Sequence, residues 1–195
     1  MSNLPLVLGS SSPFRKMLLE RLMVPFSTFS PDIDESAHDG ETPKQLVERL
    51  AIEKALETAK HFPNSLIIGS DQVALHDQEI VGKPGTHERA VEQLQAASGK
   101  KIALFTGLAL VNSKTGRIQS EVVPFSAHFK KLSERTIECY LRKEEPYNCA
   151  GSVKSEGLGV ALLERFEGDD PNALIGLPLI RLVAMLEAED YDLFA

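Results

Sequence analysis

Cysteine is scarce in this sequence. Cys139 and Cys149 are the only two among 195 residues, too few for a disulfide framework and at a spacing that matches no metal-ligand pattern. The five histidines, at positions 38, 61, 76, 87 and 128, show no zinc spacing either. No basic stretch followed by an apolar run and a small-residue cleavage site opens the chain, so a secretory signal is not expected. No apolar run approaches bilayer length. Cytoplasmic location without a membrane partner is the expectation that follows. Several familiar motifs are missing too. Residues 98–101 read SGKK, like the end of a phosphate-binding loop, but position 94 is leucine where the first glycine should stand, and Lys101 follows where Ser or Thr should. Residues 157–159, GLG, lack the third glycine of a dinucleotide fingerprint. No serine sits in a G-x-S-x-G elbow.

What is there has an ordinary globular composition, 43% hydrophobic and 25% charged, in a length suited to one domain or two closely packed lobes. The net charge of −7, from 28 acidic and 21 basic residues, argues against a surface that coats nucleic acid, which is normally basic. It leaves room for a small phosphate ester, because a few converging cations make a local positive site on an acidic protein.

The first structural unit is legible at once. Leu4 to Leu8 suit a buried strand, and from Pro13 on apolar residues recur at Phe14, Met17, Leu18 and Leu22, a helical spacing. Ser12 is a good N-cap and Pro13 suits the first helical position. The stretch GSSSPFR, from Gly9 to Arg15, is therefore a hydroxyl-rich turn between strand and helix. Two readings stay open: the serines cap the helix, or the turn and helix start bind an anion. Arg15, a cation in a first helical turn where the dipole disfavours it, leans toward a phosphate.

Residues 25–42 read as a loop carrying the acidic stretch PDIDES. A second helix starts at Thr42 and Pro43, with Gln45 completing a capping box. SLIIGSDQVAL, residues 65–75, reads as a buried strand interrupted by a small polar turn, HDQ at 76–78 as a hairpin turn, and EIVGKPG as its exit. A third helix is expected from about Thr86 to Ala97, stopping at Ser98-Gly99. Strands follow around 102–104, 108–111, 118–123 and 125–129, with a turn at 112–116. Ser133 opens a fourth helix. Residues 144–159 form a glycine-rich loop before a short apolar strand, and the chain closes on an amphipathic helix with Pro178 near its start. This is a mixed α/β sheet rather than a strict βαβ array.

Three polar residues sit where the pattern calls for apolar ones. In the second helix Leu46, Val47, Leu50 and Ala51 form the core stripe, and the next position on that face is Lys54. An inward ammonium needs an anionic partner; the alternative is a lysine that snorkels to the rim. Asp71 has apolar strand on both sides and reads as a strand-end carboxylate facing a cleft, or as a plain turn former. Lys83, in VGKPG, follows the hairpin. With Glu35 of the acidic loop and the earlier Ser-rich turn with Arg15, these make two carboxylates, three cations and a hydroxyl-rich helix start. Carboxylates for Mg²⁺ and cations for phosphate oxygens are what phosphoryl-type chemistry requires.

That set, taken with its surrounding motifs, resembles the Maf family of nucleoside triphosphate pyrophosphatases. SSSPFRKMLLE is similar to the family's S-x-S-P-x-R-x-x-L-L opening. DIDES matches its acidic loop, AIEKA its helical lysine, IIGSDQV its G-[SA]-D aspartate and VGKP its G-K-P; SGKKIALFTGLAL and DDPNALIGLPL also fit. The resemblance covers nearly the whole chain, as a single Maf-like domain over 1–195. It implies an elongated α/β fold with a mixed twisted sheet and two lobes around a central cleft, often dimeric. It implies that Asp71 activates water, that Ser10, Arg15 and Lys83 hold phosphates, and that Glu35 and Lys54 complete the polar site. A divalent metal, Mg or Mn, is implied too, with Asp71 and Glu35 as its ligands.

Within the family, the branch taking dTTP and UTP typically carries arginine, threonine and glutamine at three positions where this chain has Phe14, Gln72 and Glu156. The chain instead resembles the branch acting on 7-methyl-GTP. A guanine methylated at ring position 7 is cationic. It would stack on an aromatic face with about 0.5–2 kcal/mol of cation–π attraction, and a carboxylate at Glu156 would accept from its N–H groups. Phe14 as plain helix core stays open beside this. The resemblance further implies a house-cleaning role that keeps modified nucleotides out of nucleic acids, with a link to arrest of cell division. Two alternatives remain: hydrolysis of dTTP, UTP or other nucleotides, and a non-catalytic nucleotide-binding regulator of septum formation.

Overall fold

Four of the five helices begin on a residue whose side chain meets the orphan N–H groups of the first turn. In the computed structural model, which describes residues 4–77 and 79–194, helix α1 (Pro13–Glu20) starts after Ser12, α2 (Pro43–Ala59) after Thr42 with the full capping box to Gln45, α3 (His87–Ala97) after Thr86 and α4 (Glu134–Glu144) after Ser133. Helix α5 (Leu179–Glu187) has Pro178 at its cap and no side-chain bond from it. Its cap comes from nine residues before its first residue. The buried carboxylate of Asp170 accepts from Ile180 N at 2.7 Å, and also from the backbone and side-chain nitrogens of Asn172.

The strands are β1 (Leu6–Gly9), β2 (Phe26–Phe29), β3 (Leu66–His76), β4 (Glu79–Val81), β5 (Lys101–Asn112), β6 (Ile118–Phe129) and β7 (Leu163–Glu167). They form one mixed sheet in the order β2-β1-β3-β5-β6-β7, with β4 paired to β3. Strand β1 runs parallel to both neighbours, and its register sets Gly9 opposite Gly69. The α/β class and mixed sheet expected from the sequence are what the chain adopts.

Several local expectations are corrected. Residues 26–29 are an edge strand, not loop; FSTF is too short and too polar for its period to be read. The segment 65–75 is not broken by a turn, because its polar residues are satisfied in place: the buried Ser70 hydroxyl lies 2.8 Å from Gly107 O and 2.9 Å from Gly176 O. The four short strands expected between 102 and 129 are two long ones, β5 and β6, the latter running through Pro124. The core face of α1 is Leu18 and Leu19, while Met17 is exposed and Phe14 half-buried. The turn expected at 76–78 includes residue 78, which lies outside the described residues.

Two compact units share the chain: residues 1–72, 105–123 and 170–195 in the first, 73–104 and 124–169 in the second. In the first, strand alternation sends Leu6, Leu8, Leu66, Ile68, Leu108 and Leu110 into one core with residues of α1 and α5. Val7, Ile67, Ala109 and Val111 face α2, meeting Ala51 and Ala55. The α2 face is small-residue packing, and three glycines make it closer still. A Cβ on Gly9 would fall 2.5 Å from Thr58 Oγ1, one on Gly69 2.0 Å from Ala51 O, and one on Gly107 2.0 Å from Val47 O. In the second unit α3 and α4 bury Ala90, Leu94, Ile137 and Leu141.

Because Asp170 serves three donors from a buried position, Asp170→Ala is expected to lower unfolding free energy by about 2 kcal/mol or more, beyond an ordinary cap loss. Urea denaturation followed by circular dichroism measures it; a change within about 0.5 kcal/mol, typical of surface substitutions, would show that the carboxylate does not hold this segment.

Candidate active site

The close seating of α2 fixes what its inward face can do. The apolar stripe continues to Lys54, whose side chain is 9% exposed, so the snorkelling alternative does not apply. Its Nζ donates to Asp71 Oδ1 at 2.7 Å and lies 2.7 Å from Glu35 Oε1. Those two carboxylate oxygens are therefore within twice that distance of each other. Asp71 stands in the middle of β3 rather than at a strand end, 13% exposed, whereas Glu35 is 61% exposed.

Glu35 reaches Lys54 because the acidic loop is fastened to α2. Arg49, five residues before Lys54 on α2, grips Glu41 through Nε and Nη2 at 2.7 and 2.8 Å, takes Ser36 O at 2.9 Å, and binds Glu53 at 3.0 Å. This bidentate bond, with His38 N as a second donor, holds the Glu41 carboxyl down to about 2. The loop thus has a fixed path.

The hydroxyl-rich turn caps its helix and bonds the arginine that follows it. Ser12 caps α1, accepting from Arg15 N at 3.3 Å. Ser10 is buried, and its Oγ accepts from Ser12 N at 3.1 Å and from Arg15 Nη1 at 3.4 Å. Arg15 Nε donates to Gly176 O at 2.8 Å, and Nη2 has no hydrogen-bond partner among the described residues. Burial pushes the Arg15 guanidinium below its ordinary value, while the charges of Asp71 and Glu35 act in the opposite direction. Ser10, Arg15, Glu35, Lys54 and Asp71 share one electrostatic neighbourhood in the first unit.

Gln72, next along β3, donates from Nε2 to Ala173 O at 2.6 Å, to Thr106 Oγ1 at 2.9 Å and to Leu174 O at 3.3 Å. It ties the strand to the segment after Asp170. The same segment supplies Gly176 O to Arg15, so Asp170 and Gly176 are supporting residues that motif reading passed over. The remote cap had one signal in sequence, an Asp-Pro-Asn turn ahead of a helix with no cap of its own. Phe14 is half-buried and outside the first unit's apolar clusters, which removes the plain-core reading.

Lys83 and Glu156 belong to the second unit and are exposed. Both act on one group there: burial raises the Cys149 thiol pKa, Glu156 adds to the rise and Lys83 opposes it.

Two carboxylates converge on one ammonium. No three His, Cys, Asp or Glu residues converge among the described residues. A Mg²⁺-type ion takes one or two carboxylates and draws its remaining ligands from water and substrate phosphates. Asp71 and Glu35 fit such an ion in that shared mode, not as a cage.

The chain matches the family model described as Maf-like protein over residues 5–189. A protein from Pseudomonas syringae pv. tomato named 7-methyl-GTP pyrophosphatase is 58% identical over 184 residues, covering 94% of this chain and 96% of its own. Proteins of the same name from Colwellia psychrerythraea and Nitrosococcus oceani are 53% identical over 190 residues and 54% over 186. The first pair of coverages is 97% of this chain and 95% of the relative, the second 95% and 94%. With the family model matched across almost its full length, the chain belongs to the Maf family.

Proposed function

We propose that this protein hydrolyses the α–β phosphoanhydride of 7-methyl-GTP, giving 7-methyl-GMP and pyrophosphate. The observation that carries the reaction is the Asp71 carboxylate held by the buried Lys54 ammonium beside Glu35, in the electrostatic range of Arg15. The names of relatives at 53–58% identity support the substrate.

Asp71 takes the proton of the attacking water, whose oxygen bonds to the α-phosphorus while the α–β bridging oxygen leaves with pyrophosphate. Lys54 bonds Oδ1 of Asp71 and so fixes the carboxylate's orientation, leaving Oδ2 to face the water. Arg15 is anchored through Nε by Gly176 O and through Nη1 by Ser10 Oγ, and Nη2 meets phosphate oxygens. Such preset donors stabilise developing charge without reorganising during the reaction. Asp71 and Glu35 would hold a divalent ion, Mg or Mn, which when bound neutralises charge on phosphate oxygens. The roles of Lys83 on phosphate and of Glu156 on the base rest on the family motif. Phe14, half-exposed beside Arg15, offers a face to a cationic base, and Gln72 shapes the neighbouring backbone. No helix among the described residues is long and apolar enough to cross a membrane; a cytoplasmic site of action and a homodimer complete the proposal.

Asp71→Asn keeps an acceptor for Lys54 but removes the base, so kcat for pyrophosphate release should fall by about 10²–10⁴-fold with 7-methyl-GTP binding retained. Unchanged kcat would remove Asp71 from the chemistry. Phe14→Arg should lower kcat/KM for 7-methyl-GTP by roughly tenfold, about the free energy of one cation–π contact plus like-charge repulsion, and spare UTP. Equal losses on both nucleotides would show that Phe14 supports the fold rather than the base.

A further inference from the structure

Glu156 sits on a short loop that the second unit fastens from both sides. Tyr140 and Glu144 lie one turn apart on α4 and so share a face. Two residues before Glu156, Lys154 N donates to Tyr140 Oη at 3.0 Å, and Lys154 Nζ lies 2.9 Å from Glu144 Oε1. Two residues after it, Leu158 N donates to Glu144 Oε2 at 2.7 Å. Gly157 N and Gly159 N both return to Lys154 O at 3.1 Å, closing the loop on itself.

The loop packs closely against Glu144 and on itself. A Cβ at Gly157 would fall 2.8 Å from both of its carboxylate oxygens, and one at Gly159 2.5 Å from Lys154 O. Lys154 and the Leu158 amide hold the Glu144 carboxyl below its ordinary value, so it is ionised when it makes these bonds. One carboxylate oxygen is spent on each side of the loop. The residue between the two anchors, Glu156, is exposed.

We infer that Glu144 is a positioning residue for base recognition: with Lys154 and Tyr140 it pins the 154–158 loop so that the Glu156 carboxylate is presented in one place to a cationic guanine. This rests on the reading of Glu156 as the acceptor for that base. A carboxylate on a loose loop would have to be ordered at each binding event, and a preset one would not.

Steady-state kinetics with 7-methyl-GTP test it on Glu156→Gln, Glu144→Ala, Lys154→Met and the double variant Glu144→Ala/Glu156→Gln, each checked for folding by circular dichroism. Glu144→Ala should raise KM by roughly tenfold, within the roughly 10²-fold that misplacement of a binding group can cost, with kcat kept. Lys154→Met, which removes the Nζ bond to Glu144 but keeps the backbone bond to Tyr140, should raise KM less. Because Glu144 acts through Glu156, the double variant should show the KM of Glu156→Gln alone. A Glu144→Ala enzyme with unchanged KM, beside a Glu156→Gln enzyme with raised KM, overturns the inference and leaves the base reading standing. A fall in kcat alone, or effects that multiply in the double variant, overturns it as well, since Glu144 would then act on the fold. An unchanged KM in Glu156→Gln removes the base reading, and this inference with it.

Discussion

One buried ammonium organises the first unit. Lys54 lies on the core stripe of α2, and burying an unpaired charge costs several kcal/mol in a real protein, so the fold must bring carboxylates to it. Asp71 arrives on β3 and Glu35 on the loop held by Arg49. Helix and strand must come close for this, and the sequence provides for it with glycine. Gly9, Gly69 and Gly107 remove the side chains that would strike Thr58, Ala51 and Val47 of α2. The same ion pair that satisfies the buried charge fixes the carboxylate that the proposed chemistry uses. Stability and orientation are one requirement here.

The second requirement is that Arg15 be held through Nε and Nη1 while Nη2 stays clear of protein acceptors among the described residues. Desolvation alone would disfavour a guanidinium at this depth, and Asp71 and Glu35 offset it across the site. The segment from Asp170 to Gly176 completes the arrangement. A buried carboxylate caps α5 and shapes the turn, and the turn's carbonyls take Gln72 and Arg15. The cap of one helix thereby supports the cation at the start of another.

Much of this was legible in the sequence because polar residues interrupted regular patterns. Lys54 broke a helical stripe, Asp71 broke an apolar run, and the caps at Ser12, Thr42 and Ser133 marked their helices. The reading failed where satisfaction was non-local. Ser70 looked like a turn because its two carbonyl partners, on Gly107 and Gly176, are far away in the chain. Asp170 acts nine residues ahead of the helix it caps. A glycine in a strand signals a close approach without naming what approaches, so Gly69 and Gly107 could not be tied to α2. The edge strand FSTF is half polar and four residues long, and its pairing with β1 decides it, not its own pattern.

The account turns on Lys54 and Asp71 acting as a unit, and a double-mutant cycle measures that most directly. The kcat for pyrophosphate release from 7-methyl-GTP would be compared for wild type, Lys54→Met, Asp71→Asn and the double variant. Groups that work as a unit are strongly non-additive. If Lys54 serves the reaction by fixing Asp71, each single change lowers kcat by about 10²-fold or more and the double variant is no slower than the slower single, within about threefold. Losses that multiply, or a Lys54→Met enzyme with wild-type kcat, would contradict it.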